Sequence, residues 1–339
     1  MDPLDKFPLL LLPIVAIGEI LRNYELTQLI ECSKISKRFA TLIQWSGFAR
    51  CHLTLDYRSQ KVILKWRGIT YELCSVQMLR PRIRVDRMDE IGKQTTFLNW
   101  EEEWMDLGLY VSNLFNCPIK GFHTGFNNLP IDKFQGIIDR IIQRQPVIQE
   151  LSLFLDTISE KELKNILDKI QVEQNLFINI DQMPHFEYTF HYTPKIIRII
   201  NSGWFTMKNL QEVKNAVMIK LDNSGMTNAD LNLVLNEWKA GEFSNLQYFE
   251  TFGRKLDERT TILELLPPIM GVQKRRTLSA KRSYHRELEN FRIDQYHLSM
   301  LHEVPIHRPD GTKAFISMEE TSTGIMTFKM MINPEEDTE

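Results

Sequence analysis

Residues 7–45 constrain the chain most. They place three short amphipathic segments end to end. After Pro13, apolar side chains recur at Ile14, Ile17, Ile20, Leu21 and Tyr24, one face of a helix. Leu26, Leu29 and Ile30 mark the face of a second helix. Ile35, Phe39, Leu42 and Ile43 mark a third, at i, i+4, i+7 and i+8. So small a bundle cannot bury all this apolar surface alone, and what is left over suits a partner. A signal peptide or membrane anchor fits poorly. The leader Met1-Asp-Pro-Leu-Asp-Lys has two acids and one base, Pro8 and Pro13 interrupt the apolar run, and Glu19 and Arg22 end it. The run falls well short of the roughly 20 residues a membrane span needs.

The rest of the composition narrows the class. A chain of 339 residues with 43% hydrophobic content has enough for a small unit and a larger one. A net charge of −3 argues against a general nucleic-acid binder, which would show a basic excess. Cys32, Cys51, Cys74 and Cys117 lie far apart with no Cys-x-x-Cys pair, so reduced thiols are expected rather than disulfides or a zinc site. A soluble protein of the cytoplasm or nucleus is the expectation, with no membrane partner.

Beyond the first segment the pattern turns to strands. Residues 51–57, 61–66 and 69–74 read as a short antiparallel meander with turns at 58–60 and 67–68. Arg80-Pro81-Arg82 reads as a break, and 99–115 as a helix with Glu101, Glu102 and Glu103 in its first turn. From about 117, short apolar strands alternate with amphipathic helices. Strands are predicted at 118–124, 148–155, 176–182, 195–201, 215–222 and 246–252, with helices beginning near Ile131, Glu160, Thr206 and Asn228. Ser159 and Thr227 stand where helix caps are expected. The strand spacing suits leucine-rich-repeat-like units stacked as a solenoid, although the tight Leu-x-x-Leu-x-Leu signature is missing. An ordinary α/β layer fold is the alternative. Val304–Arg308 and Lys313–Ser317 read as a hairpin around Asp310-Gly311, with 324–332 as a further strand closing a cap. Pro334–Glu339 reads as an acidic, disordered tail.

No catalytic spacing stands out. There is no His-Glu-x-x-His, no Gly-x-Ser-x-Gly and no phosphate loop. His185 and His191 flank aromatic residues, but no Cys or further His completes a metal site. No catalytic residue, cofactor or metal is expected, and the chain is not read as an enzyme. A basic cluster, Lys274-Arg275-Arg276 with Lys281, Arg282 and Arg286, reads as a solvated face, with a nuclear-import or anionic-ligand patch as the alternative. Arg80, Arg82, Arg84 and Arg87 form a weaker stripe.

Two resemblances organise these readings. Leu12-Pro13, the helix after it, and Ser33-Lys-Ile-Ser36-Lys37-Arg38 in that order resemble an F-box, with Phe39 where many F-boxes carry Trp. The stretch from Trp204 through Val217–Leu221 and Ser224 to Trp238 is similar to the type 2 F-box-associated domain of a large nematode family. The first resemblance implies docking on the Skp adaptor of cullin-based SCF ubiquitin ligases, and the second implies recruitment of a protein substrate. The adaptor-facing residues then expected are Leu12, Pro13, Ile14, Ile17, Leu21 and Leu29. The implied organisation is α/β. A three-helix F-box at 7–45 is followed by a meander and helical connector at 50–116. An LRR-like strand–helix repeat region occupies 117–270, with the F-box-associated segment at about 175–250. A basic segment and C-terminal β-hairpin cap occupy 271–333, and the tail 334–339. Strand residues Ser152, Asn179, Arg198 and Lys220 are candidates for a substrate-facing side, since alternate strand residues share a face. Two other readings stay open: an interaction scaffold outside any ligase, and a nucleic-acid or chromatin factor acting through Lys274–Arg286.

Overall fold

The computed structural model describes residues 12–46, 51–57, 59–66, 69–75, 87–88, 93–98, 104–124, 131–155, 158–181, 183, 185–277, 299–332 and 335–336. The chain is a mixed α/β structure that divides into two compact units, Met1–Leu151 and Ser152–Glu339.

The first unit opens with three helices, α1 (Ile14–Leu21), α2 (Leu26–Ile35) and α3 (Lys37–Trp45). A meander follows, β1 (His52–Asp56), β2 (Lys61–Trp66) and β3 (Ile69–Ser75), paired antiparallel as its alternation predicts. Asp56 accepts a hydrogen bond from the Ser59 backbone N–H at the first turn, where Gln60 has a positive φ of 48°. Two strands not expected from the sequence follow the break read at Arg80-Pro81-Arg82. These are β4 (Arg87–Met88) and β5 (Lys93–Leu98), and β5 runs parallel to β3. Glu101, Glu102 and Glu103 lie outside the described residues; helix α4 is described over Trp104–Leu114. It lies so close to β1 that a Cβ on Gly108 would stand 2.4 Å from Leu55 Cδ2, which is why this helix carries a glycine mid-length. β6 (Ile119–His123) pairs parallel with β1, and α5 (Ile131–Arg144) follows. The division between the units falls inside β7 (Val147–Leu155).

The second unit continues the alternation: α6 (Glu160–Lys169), β8 (Gln171–Ile180), β9 (Ile196–Ile200), α7 (Met207–Glu212), β10 (Met218–Leu221), α8 (Asn228–Lys239) and β11 (Tyr248–Gly253). β8, β9, β10 and β11 pair in parallel, in that order. Each helix starts where its cap residue predicts. Ser159 Oγ accepts from the Glu162 N–H, and Thr227 Oγ1 from the Asp230 N–H, while the Glu162 and Asp230 carboxylates accept in return from the cap residues' backbone N–H groups. The aromatic run at 186–192 is not a strand. Phe186, Tyr188 and Phe190 are buried beside Trp204, with ring centroids of Phe186 and Trp204 4.9 Å apart.

The C-terminal strands are β12 (Val272–Thr277), β13 (Ser299–His307), β14 (Lys313–Glu320), β15 (Met326–Ile332) and β16 (Glu335–Glu336). Gly311 at the Asp310-Gly311 turn has φ 88°, a conformation that favours glycine. β15 sits between β14 and β11, antiparallel to both, so the sheet of this unit continues β8-β9-β10-β11-β15-β14-β13-β12-β16. The acidic tail departs from the disorder expected of it at Glu335 and Glu336, whose register sets them opposite Thr277 and Arg276. Pro334 and residues 337–339 lie outside the described residues, as do Lys281, Arg282 and Arg286 of the basic cluster and Arg80, Arg82 and Arg84 of the weaker stripe.

Candidate functional site

The three N-terminal helices are held by a few specific contacts. Pro13 stands at the N-cap of α1, and its carbonyl accepts the Ile17 N–H at 3.1 Å. At the cap its fixed φ of −55° suits the helix start and its missing N–H is harmless. The Gln28 side chain accepts from the Glu25 N–H at 3.1 Å ahead of α2, and Ser36 Oγ accepts from the Phe39 N–H at 3.3 Å to start α3. Arg22 donates to the Ser46 carbonyl at 3.2 Å, tying the end of α1 to the end of α3. The hydroxyls of Ser33 on α2 and Tyr110 on α4 are 2.6 Å apart, anchoring the bundle to the rest of its unit.

The helical faces divide sharply into inside and outside. Ile17, Leu21, Leu26, Leu29, Ile30 and Ile43 are at most 2% exposed. Three of the residues expected to face an adaptor, Ile17, Leu21 and Leu29, are therefore interior and hold the helices together. Leu12 is half-buried, and Pro13 and Ile14 are exposed. Seven large apolar side chains are exposed among the described residues, and four of them lie in this bundle: Ile14 (45%), Val15 (74%), Ile35 (85%) and Trp45 (67%). Periodicity missed Val15 and Trp45, because both fall off the stripes that mark the buried faces. The signal was there as apolar residues out of phase.

The second unit presents a different surface. In β9, β10 and β11 alternate residues Ile197, Ile199, Ile219, Leu221 and Phe249 are fully buried. Their neighbours form the more open face. Register sets Phe177, Arg198, Lys220, Glu250, Lys329 and Ser317 abreast across six strands. Arg198 lies over the Phe177 ring at 5.2 Å and reaches Asp222 at 3.3 Å; Lys220 reaches Glu250 at 3.0 Å. Burial pushes the Asp222 carboxyl above its usual range despite the two cations beside it. The Tyr248 hydroxyl donates to Glu250 at 2.7 Å, and burial keeps it protonated. Of the strand residues expected to share a substrate-facing side, Arg198 and Lys220 do lie together here. Asn179 is half-buried two residues along β8 from Phe177, and Ser152 on β7 is buried.

The titratable groups inside the fold are quiet ones. Burial pushes the Cys117 thiol up to about 12 and the His123 imidazole down to about 3, so both are neutral at physiological pH. Among the described residues no three His, Cys, Asp or Glu side chains group as metal ligands, and no helix is long and apolar enough to cross a membrane.

Residues 9–50 match the family model of the F-box domain, and residues 186–251 match that described as F-box associated. The chain carries an F-box domain followed by an F-box-associated domain. The F-box match takes in α1, α2 and α3 with the exposed apolar residues between Ile14 and Trp45. The F-box-associated match begins at Phe186 and ends within β11. Over 109 residues the chain is 26% identical to the Skn-1 dependent zygotic transcript 15 protein of Caenorhabditis elegans. That stretch is 30% of this chain and 30% of the relative, so the likeness spans under a third of the relative's length. No solved structure matches the chain. F-box domains in general dock on the Skp adaptor within SCF ubiquitin ligases.

Proposed function

We propose that this F-box protein is a substrate-recognition adaptor of an SCF-type E3 ubiquitin ligase and not itself an enzyme. The F-box binds the Skp adaptor and through it cullin, and the second unit binds a protein substrate. The observation that carries the reading is the ordered pair of family matches, 9–50 and 186–251, together with the exposed apolar residues inside the first. Catalysis is by proximity: a target held beside a charged E2 reacts at high effective concentration.

The division of labour among the expected adaptor residues follows burial. Leu12, Pro13 and Ile14, with Val15 and Ile35, supply contact surface; Ile17, Leu21 and Leu29 shape it from within. An apolar side chain of this size is worth about 1.5–3 kcal/mol when removed from water, so three of them suffice for a specific dock. The parallel β8–β11 pairing with intervening α7 and α8 supports an LRR-like reading of the repeat region, in which β13–β15 close the open end.

The alternative is an interaction scaffold that pairs with the adaptor outside any ligase. Pull-down of the full chain, probed for both adaptor and cullin, separates the two. Adaptor with cullin supports the ligase reading, adaptor without cullin supports the scaffold, and neither overturns both. The nucleic-acid reading has only the basic cluster to rest on; the near-neutral net charge counts against it, and no observation favours it.

A further inference from the structure

β12 carries three bases in succession, Lys274-Arg275-Arg276, which neither family match covers and the adaptor reading leaves unused. The strand lies one place from the end of the strand order, between β13 and β16. Without β16 it would be an edge, with a row of backbone N–H and C=O groups open to pairing. Proteins blunt such edges with bases and bulges, and β12 has both. From Gln273, opposite His302, to Arg276, opposite Met300, it advances three residues against two, so an extra residue bulges at Lys274-Arg275. Edge protection would account for the cluster if the edge stayed unpaired, but it does not. Past the bulge, where Arg276 and Thr277 run in register with Met300 and Ser299, β12 takes a strand on its other side.

That strand is the acidic end of the chain itself. Pro334–Glu339 contains four acids and no base. Within it Glu335–Glu336 pairs antiparallel with β12, Glu336 opposite Arg276 and Glu335 opposite Thr277. Opposite charges set directly across an antiparallel ladder stabilise it. The edge therefore accepts an extended acidic peptide in antiparallel register, and so short a ladder holds that peptide only weakly. A nucleic acid could meet the charge, but it has no peptide groups to continue the ladder. The occupant these observations favour is a protein segment.

We propose that the β12 edge is a strand-addition site for an acidic, extended segment of another protein, and that the chain's own tail occupies it as a displaceable plug. The incoming segment pairs with Arg276-Thr277 through its backbone and is selected by its acids. The site lies beyond the F-box-associated match and stands whether or not the F-box docks an adaptor.

The test uses the full chain and a fluorescein-labelled decapeptide of alternating Glu and Thr, read by polarisation. Glu335→Pro/Glu336→Pro keeps the chain length but takes the tail's N–H groups out of the ladder. It should bind the peptide about tenfold more tightly than wild type, as expected if the plug leaves the edge free about a tenth of the time. Glu258→Gln/Glu264→Gln, at two exposed acids elsewhere, changes the net charge equally and should bind as wild type does. Adding Arg276→Gln or Arg276→Glu to the proline variant should abolish the gain with an unchanged melt, and rising salt should weaken binding. A decapeptide of alternating Glu and Pro, equal in charge but unable to form a ladder, should not compete. A proline variant that binds no more tightly than wild type or the charge-matched control overturns the inference, as does a Glu-Pro peptide that competes equally. A labelled DNA decamer bound by the proline variant in place of the peptide overturns it too, in favour of a nucleic-acid partner.

Discussion

Arg308 shows how much one side chain fixes. It follows β13, is 9% exposed, and donates through Nε to the Trp238 carbonyl and through Nη2 to the Glu242 carbonyl, both at 2.6 Å. Its guanidinium also lies over the Trp238 ring, 4.5 Å from the centroid. It thus adds a second donor to the Trp238 carbonyl, which also accepts the Gly241 N–H, and holds the Glu242 carbonyl just beyond α8, while its positive charge suits that end of the helix dipole. Arg308→Ala should lower stability by about 2–4 kcal/mol, read as a shift in urea midpoint. Arg308→Lys should recover less than half, since an ammonium lacks the planar fork. His123 gives a pH effect of definite sign. Its usual value is 6.5 and burial holds it at about 3 in the fold. Between those values the unfolded chain takes up a proton that the folded chain refuses, so stability falls as pH drops from 6.5 towards 3, by up to about 1.4 kcal/mol per pH unit. Urea midpoints at pH 7 and pH 5.5 should converge in a His123→Phe variant; an unchanged slope would show that His123 is not the group responsible.

At the scale of the element, α3 depends on its cap. Ser36→Ala removes the acceptor of the Phe39 N–H and should cost about 1 kcal/mol, with Ser36→Asp close to neutral. Thermal melts of the two variants would decide it. The elements were largely legible in the sequence. Most strand and helix starts from Ile119 to Gly253 follow from alternation, helical periodicity and cap residues such as Ser159 and Thr227, all of which act over a few residues; β8 is the exception, running from Gln171 to Ile180 rather than over 176–182. What was not legible is tertiary. Periodicity identifies the face of α1 that is apolar, but not whether Ile17 or Ile14 ends inside. That depends on what packs over each turn: Arg22 binding the Ser46 carbonyl and Ser33 meeting Tyr110 are contacts between residues 24 and 77 positions apart. The same limit applies to the C-terminal strands. Glu319 reaches Thr327 and Phe252 only through pairings that bring β15 between β14 and β11. The place of β15 cannot be read locally, because a strand's partners depend on the whole topology.

For the molecule as a whole, the C-terminal strands are integral to the second unit. Tyr248 of β11 packs with Phe315 of β14 and Met331 of β15 in one buried cluster, with Met218 against it. A chain ending at residue 298 loses the antiparallel partner of β11, this cluster and Arg308 together. It should be aggregated on gel filtration and open to protease within the Ser152–Glu339 unit, whereas a unit that ended with the F-box-associated match would tolerate the cut. At the other end of the chain, the proposed docking of the F-box uses apolar side chains that are on the surface, such as Ile14 and Val15, rather than those that hold its helices together. The most direct measurement is co-purification with the Skp adaptor of Ile14→Asp/Val15→Asp beside wild type, with circular dichroism and melting temperature of both. The double variant should lose the adaptor while its spectrum and melt match wild type. A variant that keeps the adaptor with an unchanged melt would contradict it.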